Sequence, residues 1–141
     1  MSEVILRQQY EFAAAHRLHV PDLSDEQNQQ IFGKCNNPSG HGHNYQFEVA
    51  VRCPIDNSGH INTVSNIDEL VDRVILQALD HKHLNEDVPA FKALNPSVEN
   101  ITKVIYDWLL PAMKQENLNL EVVSVWETGK TRCTYPAGVL S

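Results

Sequence analysis

From Val4 to His16 the chain alternates, with Val4, Leu6, Gln8, Tyr10, Phe12, Ala14 and His16 on one face and Arg7, Gln9 and Glu11 on the other. A period of two is that of a half-buried strand. After a polar loop the alternation resumes: His41, His43, Tyr45, Phe47, Val49 and Val51 stand against Asn44, Gln46, Glu48 and Arg52. This predicts a second strand ending near Cys53-Pro54. The period then lengthens to about 3.6, that of a helix. Ile67, Leu70, Val71, Val74, Ile75, Ala78 and Leu79 share one stripe, opened by Asn66 with Glu69 three residues on, a capping-box pattern. Ile101, Val104, Ile105, Trp108, Leu109 and Ala112 form a second stripe, with Ser97 as its N-cap. "LNLEVVSVWETGKTRCTY" predicts two short strands joined by a tight turn at Thr128-Gly129. The order β-β-α-α-β-β predicts an α+β fold, an antiparallel four-stranded sheet with both helices on one face. Such a sheet has two edges, which favours self-association.

Composition narrows the picture. A length of 141 residues fits one domain spanning 1–141. With 42% hydrophobic residues and no apolar run of about eighteen, no membrane partner is expected. The start "MSEVILRQQYEF" lacks the basic n-region and apolar h-region of a secretory signal, which predicts a cytoplasmic protein. A net charge of -7 with scattered Lys and Arg argues against a nucleic-acid partner and requires any anionic substrate to find a locally positive site or a metal. Cys35, Cys53 and Cys133 are odd in number and widely spaced, so they fit neither a disulfide framework nor a CxxC motif.

The chemistry concentrates in "FGKCNNPSGHGHNY". Residues two apart on a strand share a face, so His41 and His43 present their imidazoles together, with a glycine between them. His16 lies in phase with the apolar face of the first strand. If the two strands pair, three imidazoles converge in an open tetrahedral site of the kind that suits a catalytic zinc. A lone His of this sort is more often a core residue, but the grouping with Cys35 reverses that reading. Cys35 itself has three readings: a small packing residue, a fourth zinc ligand, or a thiolate beside the metal, favoured by nearby positive charge. The last ranks first, because the surrounding loop is polar. In "LDHKHLN", Asp80 can orient His81 for proton transfer, or the basic residues can simply complement a helix C-terminus. Glu127 shares a strand face with Val123 and Val125 and needs a donor, which a planar pair of ligand N–H groups supplies. Glu99, in the first turn of the second helix, is explained as a helix-dipole partner and is kept as a second candidate substrate-binding carboxylate. His19, His60, His83, Cys53 and Cys133 read as surface or packing residues.

"FAAAHRL", "FGKCNNPSGHGHNY", "LDHKHLN", "ENI" and "VWET" resemble, in order and spacing, the signature segments of the 6-pyruvoyl-tetrahydropterin synthase family, over nearly the whole chain. The resemblance implies the tunnelling fold, with subunits joined as trimers and two trimers stacked into a homohexamer with active sites at subunit interfaces. It implies zinc held by His16, His41 and His43, magnesium as a companion of the triphosphate, and 7,8-dihydroneopterin triphosphate as substrate. Cys35 then matches the catalytic thiol, Asp80 and His81 the proton relay, and Glu127 the carboxylate that anchors the pterin. The related 6-carboxy-tetrahydropterin synthases of queuosine biosynthesis use the same site but release acetaldehyde. The five residues between Cys35 and His41 favour the pyruvoyl type, and the Asn95-Pro96 start of "NPSVEN" looks more like the carboxy type. The expected activity is the pyruvoyl one, a lyase reaction releasing triphosphate. The carboxy reaction is its first alternative, and a non-catalytic zinc or pterin-binding module, in which Cys35 closes the metal shell, its second.

Overall fold

The two alternating segments pair with each other along their whole length. In the computed structural model, which describes residues 2–55 and 61–138, β1 (Glu3–His16) and β2 (His41–Pro54) run antiparallel from Glu3↔Pro54 to His16↔His41. The even positions of β1 and the odd positions of β2 share one face. Phe12, Tyr45, Phe47 and Val49 lie fully buried there, and the rings of Phe12 and Tyr45 stack at 4.9 Å. Burying large apolar and aromatic side chains along one side of a strand pair fixes its register, because a slip of one residue would turn every one of them to water.

β4 (Asn119–Thr128) adds to β2 and β5 (Thr131–Tyr135) to β4, both antiparallel. A bulge at Ala50/Val51 opposite Glu121 shifts the β4 phase, so that Leu120 and then Val123 and Val125 all reach the core. The face is covered by α2 (Ile61–Val71, continued by a π-type turn Asp72–Leu76 and a last turn Gln77–Leu79) and by α4 (Val98–Gln115). Ile67, Leu70, Ile75, Ile101, Ile105 and Leu109 on these helices are fully or almost fully buried. Ser97 caps α4 as expected, accepting from the Asn100 amide. Among the described residues no helix is long and apolar enough to cross a membrane.

Three features depart from the sequence expectation. Among the described residues the sheet has five strands, ordered β3-β1-β2-β4-β5, the extra one being β3 (Lys82–His83), parallel to Ala14 and Ala15 of β1. Two residues are too few to print an alternation. The helix α2 begins at Ile61, so Asn66 lies inside it rather than capping it. Among the described residues of α2 full burial starts only at Ile67, and the Asn66/Glu69 spacing mimics a cap within the helix. Finally, the polar loop contains α1 (Asp25–Phe32), capped by a reciprocal box between Ser24 and Gln27. Its only buried residue is the polar Asn28, so no hydrophobic stripe announces it. A four-residue α3 (Leu84–Asp87) follows β3.

Asn28 is fully buried and holds the loop together. Its Oδ1 accepts from the Val20 amide at 2.7 Å, and its Nδ2 donates to the carbonyls of Val20, Leu23 and Ser24. Asn28→Ala removes the side-chain partner of the Val20 amide and of the Leu23 carbonyl. Urea unfolding is expected to show a loss of about 1–3 kcal/mol.

Candidate metal centre

His16 ends β1 and is fully buried. Its Nδ1 donates to the Pro96 carbonyl at 2.8 Å and lies 3.1 Å from the Tyr45 hydroxyl. With the ring proton committed at Nδ1, the lone pair resides on Nε2, a buried atom with no hydrogen-bond partner among the described residues. An imidazole fixed through one nitrogen by a backbone carbonyl, with the other nitrogen bare, is arranged as metal ligands are. Burial lowers the His16 and His43 pKa values, in His43 against the opposing pull of Glu127, so both rings are held as neutral donors.

Cys35 reaches the same point from a different segment. The turn Gly33–Asn36 follows α1 through Gly33, at φ +57, and is pinned to the strand exit. The Leu18 amide donates to the Cys35 carbonyl at 2.6 Å, Asn36 Nδ2 to the Leu18 carbonyl at 2.7 Å, and Arg17 Nε to the Asn36 carbonyl at 3.1 Å. Cys35 Sγ lies 3.7 Å from His43 Nε2, and Glu127 Oε1, arriving on β4, lies 3.5 Å from the same nitrogen. One ligand atom from each of His16, Cys35, His43 and Glu127 falls within 4.8 Å of all the others. Two imidazole nitrogens, a sulfur and a carboxylate form a donor set that fits a transition metal such as zinc.

His41 stands next to this group, its ring 4.7 Å from that of His43. It is not one of the four whose donor atoms converge. Burial, and then the Glu127 carboxylate, push the Cys35 thiol pKa up. A cation in the group would act in the opposite direction.

Asp80 and His81 form a pair of their own at the outer edge of β1. Asp80 Oδ2 lies 3.0 Å from His81 Nδ1, and Oδ1 accepts from the Ala13 amide at 2.9 Å. His81 has φ +61, its amide donates to the Ala13 carbonyl, and its side chain is 82% exposed. Among the described residues no hydrogen bond or ion pair joins this dyad to Cys35. Glu99 is exposed on the first turn of α4 and makes no side-chain bond among the described residues. His19 packs against Asn36, Cys53 is buried and Cys133 half-buried, while His60 lies outside the described residues. His83, read from sequence as a packing residue, closes on Gly40 beside the centre and has a buried Nδ1 without a partner. Sequence reasoning missed the supports of His16. Tyr45 was detectable, being in phase with His43, whereas the Pro96 carbonyl comes from a segment 80 residues away and left no signal.

The comparisons with known proteins agree with this geometry. The family model "6-pyruvoyl tetrahydropterin synthase" matches residues 5–137. The chain is 42% identical over 125 residues to the 6-pyruvoyl tetrahydrobiopterin synthase of Drosophila melanogaster, covering 88% of this chain and 74% of that one. It is 44% identical over 97 residues to the human protein of that name, covering 68% and 67%. The structure of Caenorhabditis elegans 6-pyruvoyl tetrahydropterin synthase superposes with a TM-score of 0.85 at 36% identity, over 96% of each chain. An α+β tunnelling fold, a converging His-Cys-His-Glu group and these likenesses lead to one conclusion: the chain belongs to the 6-pyruvoyl tetrahydropterin synthase family, whose members are phosphate-eliminating lyases.

Proposed function

We propose that residues 1–141 form a single catalytic domain that converts 7,8-dihydroneopterin triphosphate to 6-pyruvoyl-tetrahydropterin with release of triphosphate. The observation that carries this reading is the bare, buried Nε2 of His16 in a group that also offers His43, Cys35 and Glu127. His16, His41 and His43 would hold zinc, and the contacts of the His43 ring with both other imidazoles at 4.7 Å support that set. A zinc ion held by these residues would supply Lewis-acid polarisation of the substrate's side-chain oxygens and so acidify the adjacent C–H bonds.

Cys35 Sγ, next to His43, is placed to take a proton from such a carbon. Glu127 then accepts hydrogen bonds from the amino group and ring N–H of the pterin, fixing the heterocycle against the thiol. Asp80, locked by the Ala13 amide, orients His81 through Nδ1 and leaves Nε2 free to move protons. Glu99 is a second contact for the substrate. The exposure of the His81 ring and the open outer edge of β5 support a homohexamer in which the dyad completes a neighbouring subunit's site. Magnesium would accompany the triphosphate.

Incubation of the zinc-loaded protein with dihydroneopterin triphosphate is expected to yield triphosphate and a pterin whose mass matches the pyruvoyl product. Acetaldehyde in the mixture would establish the carboxy reaction instead, and intact substrate would rule out both.

Cys35→Ala is expected to lower kcat by at least about a hundredfold while retaining stoichiometric zinc by metal analysis. His16→Ala should lose the metal itself. Loss of zinc from the Cys35 variant would make the sulfur a structural ligand and overturn its role as base.

A further inference from the structure

Tyr45 is fully buried on β2, in phase with His41 and His43, and its ring belongs to the aromatic core. It stacks on Phe12 at 4.9 Å, and Phe12 in turn meets Phe47, neither of which carries a polar side-chain atom. A phenylalanine at position 45 would supply the same packing. Burying a hydroxyl as well is costly unless its oxygen has a partner. Among the described residues that oxygen has one polar atom within hydrogen-bond distance, His16 Nδ1 at 3.1 Å.

The Nδ1 proton already has an acceptor in the Pro96 carbonyl at 2.8 Å, so Tyr45 Oη stands as a second. Two acceptors on one N–H fix the plane of the imidazole as well as its tautomer, and both strengthen the opposite nitrogen as a donor. The contact also extends to a second imidazole. The Tyr45 ring meets the His43 ring edge-on at 5.5 Å and the His16 ring at 6.1 Å, so one side chain underlies two members of the converging group.

Tyr10 gives the contrast. It lies on the same face of the neighbouring strand, packs on Phe47 at 5.3 Å and donates its hydroxyl to Asp68 Oδ1 at 2.6 Å, which ties β1 to α2. The two tyrosines are chemically alike, but only the hydroxyl of Tyr45 is turned to the centre.

We propose that Tyr45 is a positioning residue of the metal centre, its hydroxyl serving as the second acceptor for His16 Nδ1–H and so keeping Nε2 aimed at the metal. The proposal rests on the reading of His16 as a metal ligand and is independent of which pterin reaction the site performs.

Tyr45→Phe removes one oxygen and keeps the ring. Its zinc dissociation constant, measured by competition with a chromophoric chelator, is expected to rise about tenfold, while Tyr10→Phe should bind zinc as the wild type does. With cobalt in place of zinc, the visible d–d bands should shift in Tyr45→Phe and stay in place in Tyr10→Phe. A merely structural tyrosine would not move them. The urea midpoint of the metal-free protein should be unchanged by Tyr45→Phe, because the Nδ1 proton keeps the Pro96 carbonyl. In the metal-free wild type, long-range nitrogen NMR correlations are expected to place the His16 proton on Nδ1, and a proton on Nε2 overturns the proposal without any variant. Wild-type zinc affinity in Tyr45→Phe, or an equal loss in Tyr10→Phe, also overturns it, as does a fall in the metal-free midpoint that accounts for the weaker binding. Zinc affinity that depends on Tyr45 in a protein inert toward dihydroneopterin triphosphate would preserve the positioning role and refute the proposed function. Turnover with a zinc affinity indifferent to Tyr45 would do the reverse.

Discussion

The centre depends on the register of one strand pair. β1 and β2 remain in step over fourteen residues, and the last step places His16 opposite His41. A slip of one residue would send the imidazoles to the far face along with Phe12, Tyr45 and Phe47, so the energy that buries the aromatic ladder also aims the donors. The entry to β2 is equally constrained. Gly40 has φ +86, and a Cβ there would sit 2.7 Å from His83 Nε2 and 3.0 Å from the His16 carbonyl oxygen. Only glycine lets the chain turn into the strand this close to its neighbours.

The donor group is electrostatically incomplete. Burial disfavours charge on His16 and His43 and on the Cys35 thiol, while Glu127 faces the thiol with a charge of its own. Pooling lone pairs and a carboxylate in a partly desolvated corner is costly unless a cation is shared among them. The Pro96 carbonyl makes the arrangement specific by occupying His16 Nδ1, which commits the opposite nitrogen to the interior. Core packing alone would not require a histidine here.

The sequence made the strands and the second helix legible because each prints a period, two or about 3.6, over many residues. Ser97 announced the α4 cap, and the in-phase positions of His16, His41 and His43 announced their shared face. Neither α1 nor β3 was legible. The first buries an asparagine through backbone bonds, and the second is two residues held by an edge. The start of α2 was misread because capping residues also occur in helix interiors. The convergence of Cys35 and Glu127 with two of the histidines depends on loop closure and on the β4 bulge, which are long-range. The Asp80–His81 spacing was readable, but its separation from Cys35 within one chain was not.

Along the β1–β2 ladder, structural and chemical tasks occupy different ends. Toward Glu3 and Pro54 the charges pair across strands, Arg7 with Glu48 and Arg52 with Glu121 of β4, and bring no unpaired donor to the core. Toward His16 and His41 large apolar side chains give way to alanine, glycine and imidazole. Side chains this small contribute little burial, so that end of the sheet has less to hold it than the middle. Local hydrogen bonds take over: Asn85 bridges the Arg17 amide and carbonyl, Asn36 ties Leu18, and Asn28 ties the loop behind them. Buried amides of this kind contribute less than a packed Leu or Phe, but their geometry is directional. A site that must hold several donors within a few ångströms gains more from direction than from bulk. The end of the ladder is therefore built of asparagines and carbonyls, and the aromatic middle supplies the stability on which it stands.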